Sequence, residues 1–148
     1  CRAGYIISSP ELMKLVQAVP IGIIGMPVPF QYAGAVALEK GWGFVKKMRK
    51  EYKKRIDFSV KRLNEIKGIN CPKPEGAFYL FPDISAVGMP SAKFAQELLL
   101  QEKVRGAPGT GYGQAAEGHI RFALVADMEH LEDAWNRVER FVKKNGKK

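Results

Sequence analysis

Apolar side chains recur every three or four residues from Phe44 through Met48, Tyr52, Ile56, Val60 and Leu63 to Ile66. That interval is the period of one helix face, so it predicts a helix of about 23 residues, roughly 35 Å long. Gly68 stands where a C-terminal cap would close it. A helix this long with one apolar stripe is not stable by itself, so the rest of the chain must supply a core to receive it. Its other faces are basic. Nine Lys and Arg residues lie between positions 46 and 62 against Glu51 and Asp57, which is most of the net charge of +9. A basic helix can grip a phosphate backbone or an acidic membrane surface. No aromatic residues interleave on the charged side to stack bases, so a solvated face is the expectation. A basic helical module that binds nucleic acid stands as the alternative.

The chain has 148 residues, with 24 Lys plus Arg, 15 Asp plus Glu and 46% hydrophobic residues. That composition excludes disorder, collagen and coiled coil, and predicts a soluble globular protein with a core. No window holds 18 uncharged apolar residues, and the start, Cys1-Arg2-Ala3-Gly4-Tyr5, lacks the layout of a secretion signal. A cytoplasmic location is expected, with no membrane partner. Cys1, Cys71, His119 and His130 are too few and too scattered for a structural zinc site, so no metal is expected. A chain that starts on Cys1 has either lost an initiator Met or is a piece of a longer protein.

Along the chain, Gly4 to Ile7 reads as the end of a short strand, and Ser9-Pro10-Glu11 opens a helix with a capping serine and a first-position proline. From Val19 to Phe30 the sequence is apolar but broken by Pro20, Gly22, Gly25, Pro27 and Pro29, which predicts an extended connection lying against another domain or subunit. Gln31 to Glu39 is a small-residue helix ended by Gly41-Trp42-Gly43. Ala77 to Phe81 reads as a central strand covered on both sides, and Ser91 caps a helix to about Glu102. Val104 to Ala107 is a second strand, and Pro108 to Gly113 a glycine-rich loop. His119 to Leu124 is a third strand, with Ile120, Phe122 and Leu124 on one face and His119, Arg121 and Ala123 on the other. Asp127 caps a last helix with a basic tail. The fold class expected is α/β, an α+β small domain: a three-stranded sheet packed with helices, preceded by a strand-helix arm and the long linking helix.

Arg121 is the residue to watch. It interrupts an apolar strand on the face opposite the Ile120-Phe122-Leu124 stripe, where a guanidinium needs water or an anion. Its planar fork suits a carboxylate. Gly109, Gly111 and Gly113 do not form the dinucleotide fingerprint and lie in no strand-turn-helix unit. No Ser-His-Asp, paired-carboxylate or Cys-His grouping is present. The residues alone therefore reach an anion site and no reaction.

Arg2-Ala3-Gly4-Tyr5, Gln31-Tyr32-Ala33-Gly34, Pro74 to Asp83, Pro108 to Gly113 and Glu117-Gly118-His119-Ile120-Arg121-Phe122, taken in order, resemble the C-terminal part of the class I/II aminotransferases. These are the fold type I enzymes dependent on pyridoxal 5'-phosphate. The resemblance covers essentially the whole chain. It implies residues 1–43 as the C-terminal arm of the cofactor-binding large domain and residues 44–148 as the small domain. It implies that Arg2 binds the cofactor phosphate and Arg121 the substrate's α-carboxylate, with amino acid and 2-oxo acid as substrates and a homodimer as the assembly. The family's Schiff-base lysine falls upstream of Arg2, before Cys1, and Lys14, inside a helix, cannot replace it. No catalytic residue is thus expected in this chain, which would be inactive in isolation. A non-catalytic dimerisation fragment is the further alternative.

Overall fold

A computed structural model of the chain describes residues 3–20 and 25–146. The chain divides into two compact units, Cys1–Lys47 and Met48–Lys148.

The first unit contains α1 (Pro10–Ala18), α2 (Val28–Lys40) and the start of α3 (Trp42–Asn64). Ser9 caps α1 as expected, its side chain accepting from the Leu12 backbone N–H at 3.4 Å. Gly4 to Ile7, expected as a strand end, forms no strand, because a ladder needs a partner and none of the described residues offers one. The connection expected over Val19–Phe30 is shorter than the prolines suggest. Residues 21–24 lie outside the described region, but α2 begins at Val28, with Pro27 at the N-cap and Pro29 in its first turn. Proline is tolerated there since the first-turn N–H groups have no helical acceptor in any case. Neither α1 nor α2 buries a residue.

The second unit holds the core. A three-stranded antiparallel sheet is ordered β1-β3-β2, from β1 (Tyr79–Leu80), β2 (Ala107–Pro108) and β3 (Ile120–Ala123). Tyr79 pairs with Ala123 and Ala107 with Arg121. The alternation along β3 is the expected one: Ile120, Phe122 and Leu124 are all buried. The strand around Tyr79, expected to be central and covered on both sides, is instead an edge strand with only Leu80 fully buried. Its unbroken apolar run misleads because Tyr79 and Phe81 serve the other, half-open face.

Beneath the sheet pack α4 (Ser91–Glu102), α5 (Met128–Asn145) and the C-terminal half of α3. Phe122 meets Trp135 edge-on at 5.2 Å, and Phe94 meets Phe141 likewise at 5.1 Å. Each such buried side chain contributes about 1.5–3 kcal/mol. Within this layer the buried Trp135 indole N–H donates to the buried Ser59 hydroxyl at 2.9 Å, which satisfies both groups. The α3 stripe is buried at Ile56, Leu63 and, just past the helix, Ile66, while Phe44 and Met48 are exposed. Helix α3 stops at Asn64, and Gly68 takes its left-handed conformation in the turn beyond, beside Val87.

Candidate functional site

The register of the sheet decides what surrounds Arg121. Residues directly opposite in an antiparallel pair share a face, so Tyr79, Ala107, Arg121 and Ala123 project from the side away from the core. Phe81 and His119 join them, their rings stacked at 5.1 Å with 20° between planes. The Arg121 guanidinium carbon lies over the Tyr79 ring, 4.5 Å from its centroid, and over the Tyr112 ring at 4.8 Å. Tyr112 in turn packs edge-on against Phe81 at 5.9 Å. Among the described residues, no ion pair or hydrogen bond engages the Arg121 side chain.

Tyr112 comes from the glycine-rich segment, which is not an open loop. Gly109–Tyr112 and Gln114–Ala116 are successive 3-10 turns. The turns are pinned at their base, where the Gly109 N–H donates to the His119 carbonyl at 2.8 Å. Gly109 is required there: a Cβ would stand 1.9 Å from the Ala116 carbonyl oxygen. Gly113, at φ 117°, lets the chain reverse between the turns. The far end is tied down by Glu117, whose carboxylate accepts from the Ser91 N–H at 2.8 Å and the Ser91 hydroxyl at 2.7 Å. Ser91 is therefore not the cap of α4, as its sequence position suggests. It is the first helical residue, and the capping acceptor arrives from 26 residues away. Those hydrogen bonds hold the Glu117 carboxyl below its ordinary range.

Other expected participants stand apart. Arg2 lies outside the described residues. One surface hollow lies on α5 around Glu139 and Arg140, and another between the segment at Lys103 to Arg105 and the start of α5. Arg121 is itself half-buried, on the sheet face away from the core. Within the basic segment of α3, Lys53 pairs with Asp57, Arg55 with Glu51, and Arg62 with Glu139. Arg55 also donates to the carbonyls of Leu124 and Val125, both at 3.1 Å, closing the end of β3. Part of the basic run is consequently structural. Cys71 is buried, and burial pushes its thiol up to about 11, which makes it inert. Among the described residues, no cluster of acidic, His and Cys side chains could hold a metal ion, and no helix is long and apolar enough to cross a membrane.

Residues 1–138 match the pattern of aminotransferase class I and II. The chain belongs to the class I and II aminotransferases. It is 39% identical over 142 residues to an aspartate aminotransferase of Pyrococcus horikoshii, covering 94% of this chain and 36% of that protein. It is 44% identical over 145 residues to the putative aminotransferase YugH of Bacillus subtilis, covering 97% and 37%. Among solved structures, an alanine aminotransferase from Pyrococcus furiosus superimposes with a TM-score of 0.77 at 32% identity, over 90% of this chain and 33% of that one. The chain therefore spans little more than a third of the length of these aminotransferase relatives. The helices and small sheet belong to the fold type I aminotransferase architecture, and the family implies pyridoxal 5'-phosphate as cofactor.

The sequence singled out Arg121 but not its tyrosines. Tyr79 reads as part of an apolar run, and Tyr112 sits 9 residues from Arg121 in a segment with no periodicity. The only available signal was that two tyrosines flank the strand in otherwise apolar or glycine-rich stretches.

Proposed function

We propose that this chain is the C-terminal part of a pyridoxal-phosphate aminotransferase that moves an amino group between an amino acid and a 2-oxo acid, and that Arg121 holds the substrate's α-carboxylate. The observation that carries the reading is a guanidinium held by two tyrosine rings on a half-open face, with no acidic partner among the described residues. Such a group retains its full charge and its fork of donors for an incoming anion. A carboxylate fits the fork with two parallel hydrogen bonds, which fixes the direction of the substrate's Cα. Residues 1–43 are the arm of the large domain and residues 44–148 the small domain.

The cofactor, when bound, supplies the electron sink of the reaction. The residues that the sheet register and ring stacking bring to the face of Arg121 are Tyr79, Phe81, Ala107, His119 and Ala123, of which none is a lysine that could anchor the cofactor. Arg2 is proposed as the phosphate ligand on the strength of the family pattern. The anchoring lysine is placed upstream of it, so the isolated chain is proposed to be inactive. A homodimer in the cytoplasm is proposed for the whole enzyme. The many exposed apolar residues of the first unit, Tyr5, Leu15, Val28, Tyr32 and Val36 among them, support a covered surface there.

The test is steady-state kinetics of the intact aminotransferase. Arg121→Leu is expected to lower kcat/KM for both substrates at least about 100-fold, since two charge-assisted hydrogen bonds are lost. Arg121→Lys, which keeps charge but not the fork, should recover only part of this. A kcat/KM unchanged in Arg121→Leu rejects the assignment.

A further inference from the structure

The face around Arg121 raises a question the carboxylate reading leaves open: what aims the guanidinium when no substrate is present. Buried or half-buried arginines are ordinarily fixed by carboxylates or carbonyls, as Arg62 is by Glu139 and Arg55 by two backbone carbonyls in this same unit. Those partners consume the N–H donors and cancel the charge. Arg121 is fixed differently. Among the described residues it has no hydrogen-bond or ion-pair partner, and its guanidinium lies over the rings of Tyr79, at 4.5 Å, and Tyr112, at 4.8 Å. An aromatic face attracts a cation through its quadrupole and accepts no conventional hydrogen bond. It can therefore hold a guanidinium in place while leaving the N–H fork and the charge available.

We infer that Tyr79 and Tyr112 are the positioning residues of Arg121, a pair of aromatic rests that pre-aim the guanidinium for a carboxylate without competing for its donors. The inference rests on the reading of Arg121 as the carboxylate site. The two rings reach it by independent routes. Tyr79 stands on the edge strand β1, two residues before Phe81, and its ring lies tilted at 34° to that of Phe78, 4.4 Å away, which itself stacks on Tyr52 of α3 at 5.3 Å. Tyr112 is carried by the 3-10 turn rooted at Gly109 and leans edge-on against Phe81. Each ring thus meets a second aromatic ring besides the guanidinium. Both hydroxyls are dispensable to this role; the ring faces are not. That distinction separates the inference from a hydrogen-bonding role for either tyrosine.

The experiment uses arginine-specific modification of the chain by phenylglyoxal, followed at Arg121 by peptide mass spectrometry, with and without 2-oxoglutarate. Wild type, Y79F, Y112F, Y79L, Y112L and R121K, whose lysine supplies the control lacking the modified group, are compared. 2-Oxoglutarate is expected to protect Arg121 in wild type and in both Phe variants at the same half-protecting concentration. In Y79L and Y112L that concentration should rise about 2- to 5-fold each, the loss of one cation–π contact. Near-ultraviolet and far-ultraviolet circular dichroism verifies that the variants remain folded, which is expected because both rings lie outside the core layer. Protection in the Leu variants equal to wild type overturns the positioning role and leaves the carboxylate site intact. Loss of protection in the Phe variants also overturns it, by assigning the effect to the hydroxyls. Absence of protection in wild type overturns the carboxylate reading itself, and this inference with it.

Discussion

At the residue scale, Arg121 was legible because a charged side chain inside an alternating apolar strand needs a reason. What held it was not legible, since Tyr79 and Tyr112 come to it through tertiary structure: one across the sheet register and one on a wound turn. Ser91 illustrates the same boundary. Its local setting reads as a helix cap, but Glu117 arrives from a distant turn and takes over the role. Gly109 gives the sharpest residue-level prediction. A methyl there meets two backbone carbonyl oxygens, of Ala116 at 1.9 Å and His119 at 2.8 Å, neither of which can yield as a side-chain tip would. Gly109→Ala is expected to destabilise the chain by more than about 2 kcal/mol and to displace Tyr112 from Arg121. Denaturant unfolding measures the first effect; a loss under about 0.5 kcal/mol would show that the turn is not rooted as described.

At the element scale, helices were readable and strand environments less so. The 3.6-residue period located α3, α4 and α5, and Asp127 caps α5 as its sequence indicates, accepting from the His130 N–H at 2.9 Å. The position of β1 in the sheet was not readable, because an apolar run looks the same whether its second face meets a helix or a binding surface. Nor does sequence show how α3 and α5 are fastened. That link runs through Glu139, whose carboxylate meets Lys143 on its own helix and Arg62 on α3. Those two cations hold its carboxyl down at about 2 against an ordinary value of 4.5. A carboxyl lowered by folding stabilises the native state above its unfolded value, and the contribution disappears as pH falls from about 4.5 toward 2. Stability of wild type should therefore fall over that window. Glu139→Gln should be less stable near neutrality and show a shallower acid dependence. Parallel wild-type and variant curves, from urea unfolding at a series of pH values, would remove Glu139 as the fastening.

At the scale of the whole molecule, two facts belong together. The second unit carries a complete core with one sheet face left half open, and the first unit carries helices with no buried residue. The chain spans little more than a third of the length of its aminotransferase relatives. Where α2 begins within the proline-broken apolar run was not readable, because prolines fit a first helical turn as well as an extended connection. The basic excess, conspicuous in composition, turned out to be partly spent on internal ion pairs. The measurement that bears most directly on the account is the Nε–Hε resonance of Arg121, followed by NMR as 2-oxoglutarate is added. The account predicts a saturable shift of that resonance, absent with an uncharged ester of the same acid. A resonance that stays still, or that responds equally to acid and ester, would contradict it.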